Sequence, residues 1–330
     1  MKLRIPVLNA RRSTSRKTLW TLAASAAAVG AALYNRHATQ RAEWDNPPAG
    51  RFVEVDGVAV HCVDQGSGPA VVLLHGNMLM LQDFVACGLI DRLSATHRVV
   101  AFDRPGSGYT DRPRDRLWTP AEQARLLRGA LGAMGIERAV VVGHSMGAQV
   151  AMALALDHPE VVAGLVLLSG YYYPTLRLDA ALIAPVTLPG LGDVLRHTVT
   201  PLMGRLMLPG MVKGMFSPMA VPYGFYPTLQ KSMMLRLEQL RADAEDGMYL
   251  VPAARAMEQR LGELDLPVHI LGGDSDRVVD LESQSVRLHR ELAGSRLRVI
   301  RSCGHMVHYA APAAVEQAVD ETVAAAGLPA

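Results

Sequence analysis

The chain has 330 residues, half of them hydrophobic, which is enough for a large buried core in one or two domains. The net charge of +2 hides an asymmetry: residues 1–42 hold eight Lys or Arg and no acid, and the remainder carries −6. A mildly acidic body excludes a general electrostatic footprint for DNA or RNA. Three cysteines (Cys62, Cys87, Cys303) without a CxxC pair give no support to a thiolate zinc site and leave at least one free thiol.

The chain opens on the basic run RRSTSRK (Arg11–Lys17), followed by 18 uncharged residues, Thr18–Asn35. A spanning helix takes ~20 mainly apolar residues. The pattern predicts a transmembrane anchor or an export signal, with membrane association through residues 18–35. Its alanine content makes the insertion drive weak. An uncleaved segment would keep its basic flank in the cytoplasm and place the body outside. A helix packed on the domain is the plainer alternative, and a cytoplasmic body goes with it. DNPPAG (Asp45–Gly50) reads as a linker, so residues 1–48 form the N-terminal unit.

The body then alternates strand and helix. Two short alternating runs flank Asp56-Gly57, a pair that suits a tight hairpin. AVVLLHG (Ala70–Gly76) and the run from His97 read as buried parallel strands. A helix begins at Thr119, with Pro120 in its first turn and Glu122 completing a capping box. Strand, turn and helix follow across AVVVGHSMGAQVAMALALDHP, and Val162–Gly170, Leu266–Gly273 and Ser295–Gly304 supply further strands. Pro312–Gly327 closes the chain as a helix. This predicts an α/β protein with an open, mostly parallel sheet covered on both faces, built from residues 49–170 and 262–330. Residues 171–261 lack strand signals and are rich in Pro, Gly and Met, which predicts an inserted helical cap. Met233 and Met234 are expected in its packing.

The chemistry-bearing residues gather at strand ends. Gly143-His144-Ser145-Met146-Gly147 fits G-x-S-x-G between a strand and a helix, the context in which a sharp turn lifts a nucleophilic serine clear of the sheet. A serine merely capping the helix is the alternative. Serine needs a base. His305, just past the last strand, is the first candidate, ahead of His308, His144 and His75. His75 is expected to order the loop beneath the site. The orienting acid is sought in GGDSDRVVD: Asp276 first, then Asp274 and Asp280, with turn capping as their alternative role. No acid follows LVLLSG. An oxyanion hole is expected from the backbone N–H groups of Asn77, after His75-Gly76, and of Met146. Met78, Tyr171 and Tyr172 are candidate pocket residues, and Cys303 is expected to be structural. DRPGSG (Asp103–Gly108) lacks the residues of a phosphate loop. No metal or organic cofactor is expected.

With LLHGN, FDRPGSG, GHSMG, GGDSDRVV and GHMVH in this order, the chain from about Arg51 to Ala325 resembles the α/β-hydrolase superfamily. The body is similar to its capped serine esterase, lipase and cofactor-free haloperoxidase-like branch. The resemblance implies a Ser145–Asp276–His305 triad. Dehalogenases and epoxide hydrolases share the layout but carry aspartate where Ser145 stands. The expected activity is hydrolysis of a small or medium apolar carboxylic ester. Carbon–carbon bond hydrolysis of ring-cleavage products, acyl transfer to another acceptor, and a non-catalytic site for a small apolar ligand are the alternatives. Oligomeric state is left open.

Overall fold

The computed structural model describes residues 16–175 and 183–328; Arg11–Ser15 of the basic run and Ala181-Leu182 of the cap lie outside them. The first element among the described residues is a helix, α1 (Arg16–Asp45), followed by the hairpin β1 (Arg51–Val55) and β2 (Val58–Gln65). Val55 pairs with Val58, so only Asp56 and Gly57 turn the chain, both at positive φ (51° and 75°). That twist matches the right-handed twist of the strands it joins.

The sheet continues through β3 (Ala70–Leu74), the short helices α2 (Gln82–Ala86) and α3 (Leu89–Leu93), and β4 (Arg98–Phe102). Then come α4 (Pro120–Ala133), β5 (Ala139–His144), α5 (Met146–Asp157) and β6 (Val162–Leu168). The Thr119 side chain caps α4 by accepting from the Glu122 N–H at 3.2 Å, with Pro120 at the first helical position. Between β6 and β7 the described residues carry no strand. They form α6 (Leu191–Thr198), α7 (Thr200–Phe216), α8 (Phe225–Leu229), α9 (Lys231–Met234) and α10 (Leu237–Glu258). The chain ends with β7 (Val268–Gly273), α11 (Arg287–Glu291), β8 (Arg296–Ile300), α12 (Val307–Ala310) and α13 (Pro312–Ala325).

The strands lie in the order β1-β2-β4-β3-β5-β6-β7-β8. β2 pairs antiparallel with both β1 and β4; every later pairing is parallel. β4 lies on one side of β3 and β5 on the other, so sheet growth reverses there. Such a reversal opens a crevice beyond the strands' C-terminal ends. Alternation along β3 divides the core: Val72 and Leu74 join one apolar cluster, with Leu127 and Val150, and Val71 and Leu73 join the cluster on the other face, with Phe84 and Val319. Each such side chain adds ~1.5–3 kcal/mol by leaving water.

A third cluster joins the helices between β6 and β7 to the loops of the sheet, and takes in Met233, Met234, Phe216 and Phe225 together with Leu79 and Met306. The cap is also held by charge. Asp246 of α10 accepts from Arg104 at 2.5 Å and from Arg112 at 2.9 Å, with all three side chains buried.

The N-terminal segment departs from expectation. No helix among the described residues is long and apolar enough to cross a membrane, which overturns the transmembrane anchor over residues 18–35. The uncharged run is dominated by alanine, whose small side chain carries little apolar surface. Nothing in it stops the helix, which continues through Arg36, His37, Arg41 and Glu43 to Asp45. Its second half docks on the cap instead. The buried Asn35 donates to the carbonyls of His197 and Thr198 at 2.9 and 3.1 Å, and Glu43 pairs with Arg236 at 2.9 Å.

Candidate active site

Ser145 sits between the end of β5 and the start of α5, at φ 54° and ψ −117°. A non-glycine residue rarely holds this conformation, and it persists only where the surroundings enforce it. The flanking glycines show the enforcement. A Cβ on Gly147 would lie 2.1 Å from the Leu74 carbonyl oxygen, and one on Gly143 would lie 2.6 Å from the Cα of Ala148. Only glycine lets strand and helix approach this closely. The result is a half-buried hydroxyl at the sheet's C-terminal edge, beside the reversal at β3.

His305 enters from the loop after β8. Its backbone N–H donates to the Met215 carbonyl at 2.9 Å, which ties the loop to the end of α7. Its Nδ1 lies 2.8 Å from Asp276 Oδ2, and both side chains are almost fully buried. The other Asp276 oxygen accepts from the N–H groups of Val278 and Val279 at 2.8 and 3.0 Å. That division leaves one oxygen for the imidazole and fixes its direction. With Nδ1–H given to Asp276, Nε2 carries the free lone pair. Ser145 and His305 line one cavity of about 510 Å³, with Asn77, Met78, Met146 and Tyr171. Among the described residues no hydrogen bond yet joins the serine hydroxyl to the imidazole; such bonds commonly tighten only when substrate binds.

The rival residues lie elsewhere. Asp274 accepts from Ser275 Oγ at 2.9 Å, and Asp280 caps Ser283 through its N–H and hydroxyl at 2.9 and 2.6 Å. His308 pairs with Asp83 at 2.8 Å in the interior. His144 donates through Nε2 to the His305 carbonyl at 3.2 Å, and burial, with His308 and His305 nearby, holds its imidazole neutral. His75 gives Nδ1–H to the Gly76 carbonyl at 2.7 Å and accepts the Arg104 N–H at 3.0 Å. Burial, reinforced by Arg104, lowers His75 to about 4. Burial raises the Cys303 thiol to about 11, so it stays protonated and inert.

Asp83, His144 and His308 place their potential metal-ligand atoms within 4.8 Å of one another. Asp83 is committed to His308 Nε2 at 2.8 Å and to the Tyr309 hydroxyl at 2.9 Å, while His144 bonds the His305 carbonyl instead.

The loop after β3 brings Gly76 against the serine: a Cβ there would lie 3.1 Å from Ser145 Cβ. Asn77 follows, and then Met78 at φ 63°. The Met146 N–H, first in α5, has no acceptor within its own helix and points its dipole toward the serine's side of the turn. Tyr171 lines the cavity, but Tyr172 does not. It is fully buried in the core, its ring folded back over Gly170 and its N–H given to Gln284 at 2.6 Å. Adjacent residues of an extended chain point opposite ways, so only one of the two tyrosines can face the cavity.

Some contacts were not anticipated from sequence: Arg277, Val278 and Val279 line the cavity beside Asp276, as does Leu250 of α10, and Asp243 of the same helix reaches the Asn77–Met78 loop. A signal for Asp243 exists: Gln239, Asp243 and Asp246 recur at helical spacing, a polar stripe that emerges as the buried face of α10.

A mostly parallel open sheet that carries a strained serine between its fifth strand and the following helix defines the hydrolase class. The chain belongs to the alpha/beta hydrolase fold family, whose pattern matches residues 69–312. It is 27% identical over 266 residues to a 2-hydroxymuconate semialdehyde hydrolase of Pseudomonas putida, covering 79% of this chain and 89% of that one. A solved thermophilic esterase of Thermogutta terrifontis superposes with a TM-score of 0.67 at 22% identity, over 83% of this chain and 97% of its own. A meta-cleavage product hydrolase of Pseudomonas fluorescens superposes with a TM-score of 0.60 at 23% identity, over 83% and 97%.

Proposed function

We propose that the protein is a serine hydrolase that cleaves a carboxylic ester of a small or medium apolar substrate through an acyl-enzyme on Ser145. The observation that carries this reading is the 2.8 Å His305–Asp276 hydrogen bond at the wall of the cavity that Ser145 also lines. His305 Nε2 takes the hydroxyl proton as Ser145 Oγ attacks the carbonyl carbon. Asp276 holds the tautomer and stabilises the imidazolium. The N–H groups of Asn77 and Met146 receive the oxyanion. The imidazolium returns the proton to the leaving alcohol, and water, deprotonated by the same nitrogen, releases the acid. Loss of one oxyanion donor in such sites costs about 10²–10³ in kcat. Met78, Met146, Met215, Leu250 and Val279 make most of the cavity wall apolar, which supports an apolar acyl or alcohol group.

The test is turnover of short p-nitrophenyl esters by wild type and Ser145→Ala, with fluorophosphonate labelling of Ser145. Turnover and labelling that both require Ser145 support the reading. Equal turnover by the two proteins overturns it. A folded wild type that neither turns over esters nor takes the label points to a ligand-binding role.

A second reading is hydrolysis of a carbon–carbon bond in a ring-cleavage product. It is favoured by the hydrolase names of the relatives and by Arg277 at the cavity, whose guanidinium suits a substrate carboxylate. Comparison of kcat/KM for a dienoate ring-cleavage product with that for simple esters separates the two. An Arg277→Ala change raises KM only for the carboxylate-bearing substrate.

A further inference from the structure

We propose that Asp243, on the cap helix α10, is a positioning residue for the oxyanion loop, so that the cap completes the anion-stabilising half of the site as well as covering it. The inference rests on the acyl-transfer reading above, in which the Asn77 N–H must be held in place to receive the oxyanion.

Two contacts run from this one cap residue to the loop. Its carboxylate oxygen Oδ1 accepts the Met78 backbone N–H at 3.0 Å, and its backbone carbonyl accepts the Asn77 side-chain amide at 3.0 Å. The peptide after Asn77 and the Asn77 side chain are thereby both fixed. Only rotation about its own N–Cα bond is left to aim the Asn77 N–H. Met78 also stands in the left-handed region, at φ 63°, where a residue with a Cβ stays only if contacts hold it. The carboxylate is the contact on its N–H.

Asp243 is itself braced. Gln239, one turn earlier on α10, donates to Asp243 Oδ1 at 3.3 Å and to the Leu79 carbonyl at 3.2 Å, which is the far end of the same loop. One turn later, Asp246 holds Arg104, and Arg104 donates to the carbonyl of His75 at 2.9 Å, at the near end. One face of α10 thus grips the loop from His75 to Leu79 at both ends and in the middle. Preorganised donors stabilise an oxyanion because they need not reorient during reaction, and this grip supplies the preorganisation.

The charge state is consistent with the role. Burial pushes the Asp243 carboxyl up to about 7; Asp246 adds to the rise, while Arg104, the Met78 N–H and Gln239 oppose it. The neutral acid still accepts the Met78 N–H through its carbonyl oxygen. Once ionised, it adds a negative charge at the Met78 N–H of the oxyanion loop.

The experiment compares the full chain with Asp243→Asn and Asp243→Leu, using kcat and KM for a p-nitrophenyl ester, fluorophosphonate labelling and the pH profile of kcat. Asparagine keeps an acceptor for the Met78 N–H and cannot ionise; leucine removes the acceptor. The expected result is a kcat within about threefold of wild type for Asp243→Asn, without the wild type's decline as pH rises through 7. For Asp243→Leu the expected loss is about 100-fold in kcat with KM little changed. Wild-type kcat in folded Asp243→Leu overturns the inference. If the leucine variant does not fold, kcat of Asp243→Asn decides: a loss beyond about tenfold in that folded variant, which keeps the acceptor, overturns the inference. A wild type that neither turns over the ester nor takes the label fails differently: it overturns the acyl-transfer reading, and the inference with it.

Discussion

Asp276 offers one oxygen to His305 Nδ1 at 2.8 Å and commits the other to the Val278 and Val279 N–H groups. In Asp276→Asn the amide oxygen still satisfies those two donors, so the NH₂ group must face the imidazole. The hydrogen bond then reverses and the proton moves to Nε2, where it blocks the base. The expected outcome is a kcat loss of about 10⁴ with the fold retained. Steady-state kinetics beside a circular dichroism melt tests this, and a loss below tenfold would remove Asp276 from its assigned role.

Ser145 stores backbone strain at φ 54°. Such a conformation costs about 1–3 kcal/mol, and glycine adopts it freely at an unfolded-state entropy cost of roughly 0.5–1 kcal/mol. Ser145→Gly is therefore expected to be inactive yet more stable, by about 1 kcal/mol. For a chain of this size that is a rise of roughly 1–2 °C in Tm. Ser145→Ala keeps the strain and gains none of this. Calorimetry of the two variants side by side reads the difference.

The Arg104–Asp246–Arg112 group is buried at every member. Asp246→Ala strands the Arg104 guanidinium in the interior without a carboxylate, while Arg112 keeps Glu245 at 2.7 Å, and is expected to cost about 3–5 kcal/mol. Urea unfolding measures it. A cost under 1 kcal/mol would mean that water reaches Arg104 once the carboxylate is gone.

Two buried groups oppose each other in pH dependence. Asp243 is raised to about 7, so its contribution to stability is complete below pH 3.8 and is lost as pH rises through 7. His75 is lowered to about 4, so its contribution is complete above pH 6.5 and is lost as pH falls through 4. Between these limits the two slopes partly cancel in the wild type. Asp243→Asn removes only the first. Its stability relative to wild type is expected to climb steadily from pH 4 to pH 7, and denaturant midpoints at half-unit pH steps would reveal a flat difference if the pairing is wrong.

The sheet and Ser145 were legible because their causes are local. Glycines at 143 and 147 clear a strand–helix contact, continuous Val and Leu runs mark buried strands, and Thr119-Pro120-Glu122 announces a helix start. Asp276 was separable from Asp274 and Asp280 only by its reach from the end of β7. What escaped depends on distant partners. The grip of Asp243 on residues 77 and 78 needs α10 to lie over β3, about 165 residues away in the chain. Tyr172 was misplaced because adjacent tyrosines look alike until the direction of the chain after β6 is known. The Thr18–Asn35 run misleads because freedom from charge is not the same as apolarity, and because its helix docks through Tyr34, whose ring Arg205 covers, and through Asn35, partners far away in the chain.

That leading helix straps the roof of the site to itself. Asn35 holds the junction of α6 and α7, and about 12 Å further along the helix Glu43 neutralises Arg236 at the foot of α10. A body trimmed to begin at Asn46 would lose both fastenings and leave the Arg236 guanidinium enclosed without its carboxylate. Rates measured on such a shortened protein would describe a looser roof and a differently aimed loop beneath it, so the helix belongs in any preparation used to judge this enzyme.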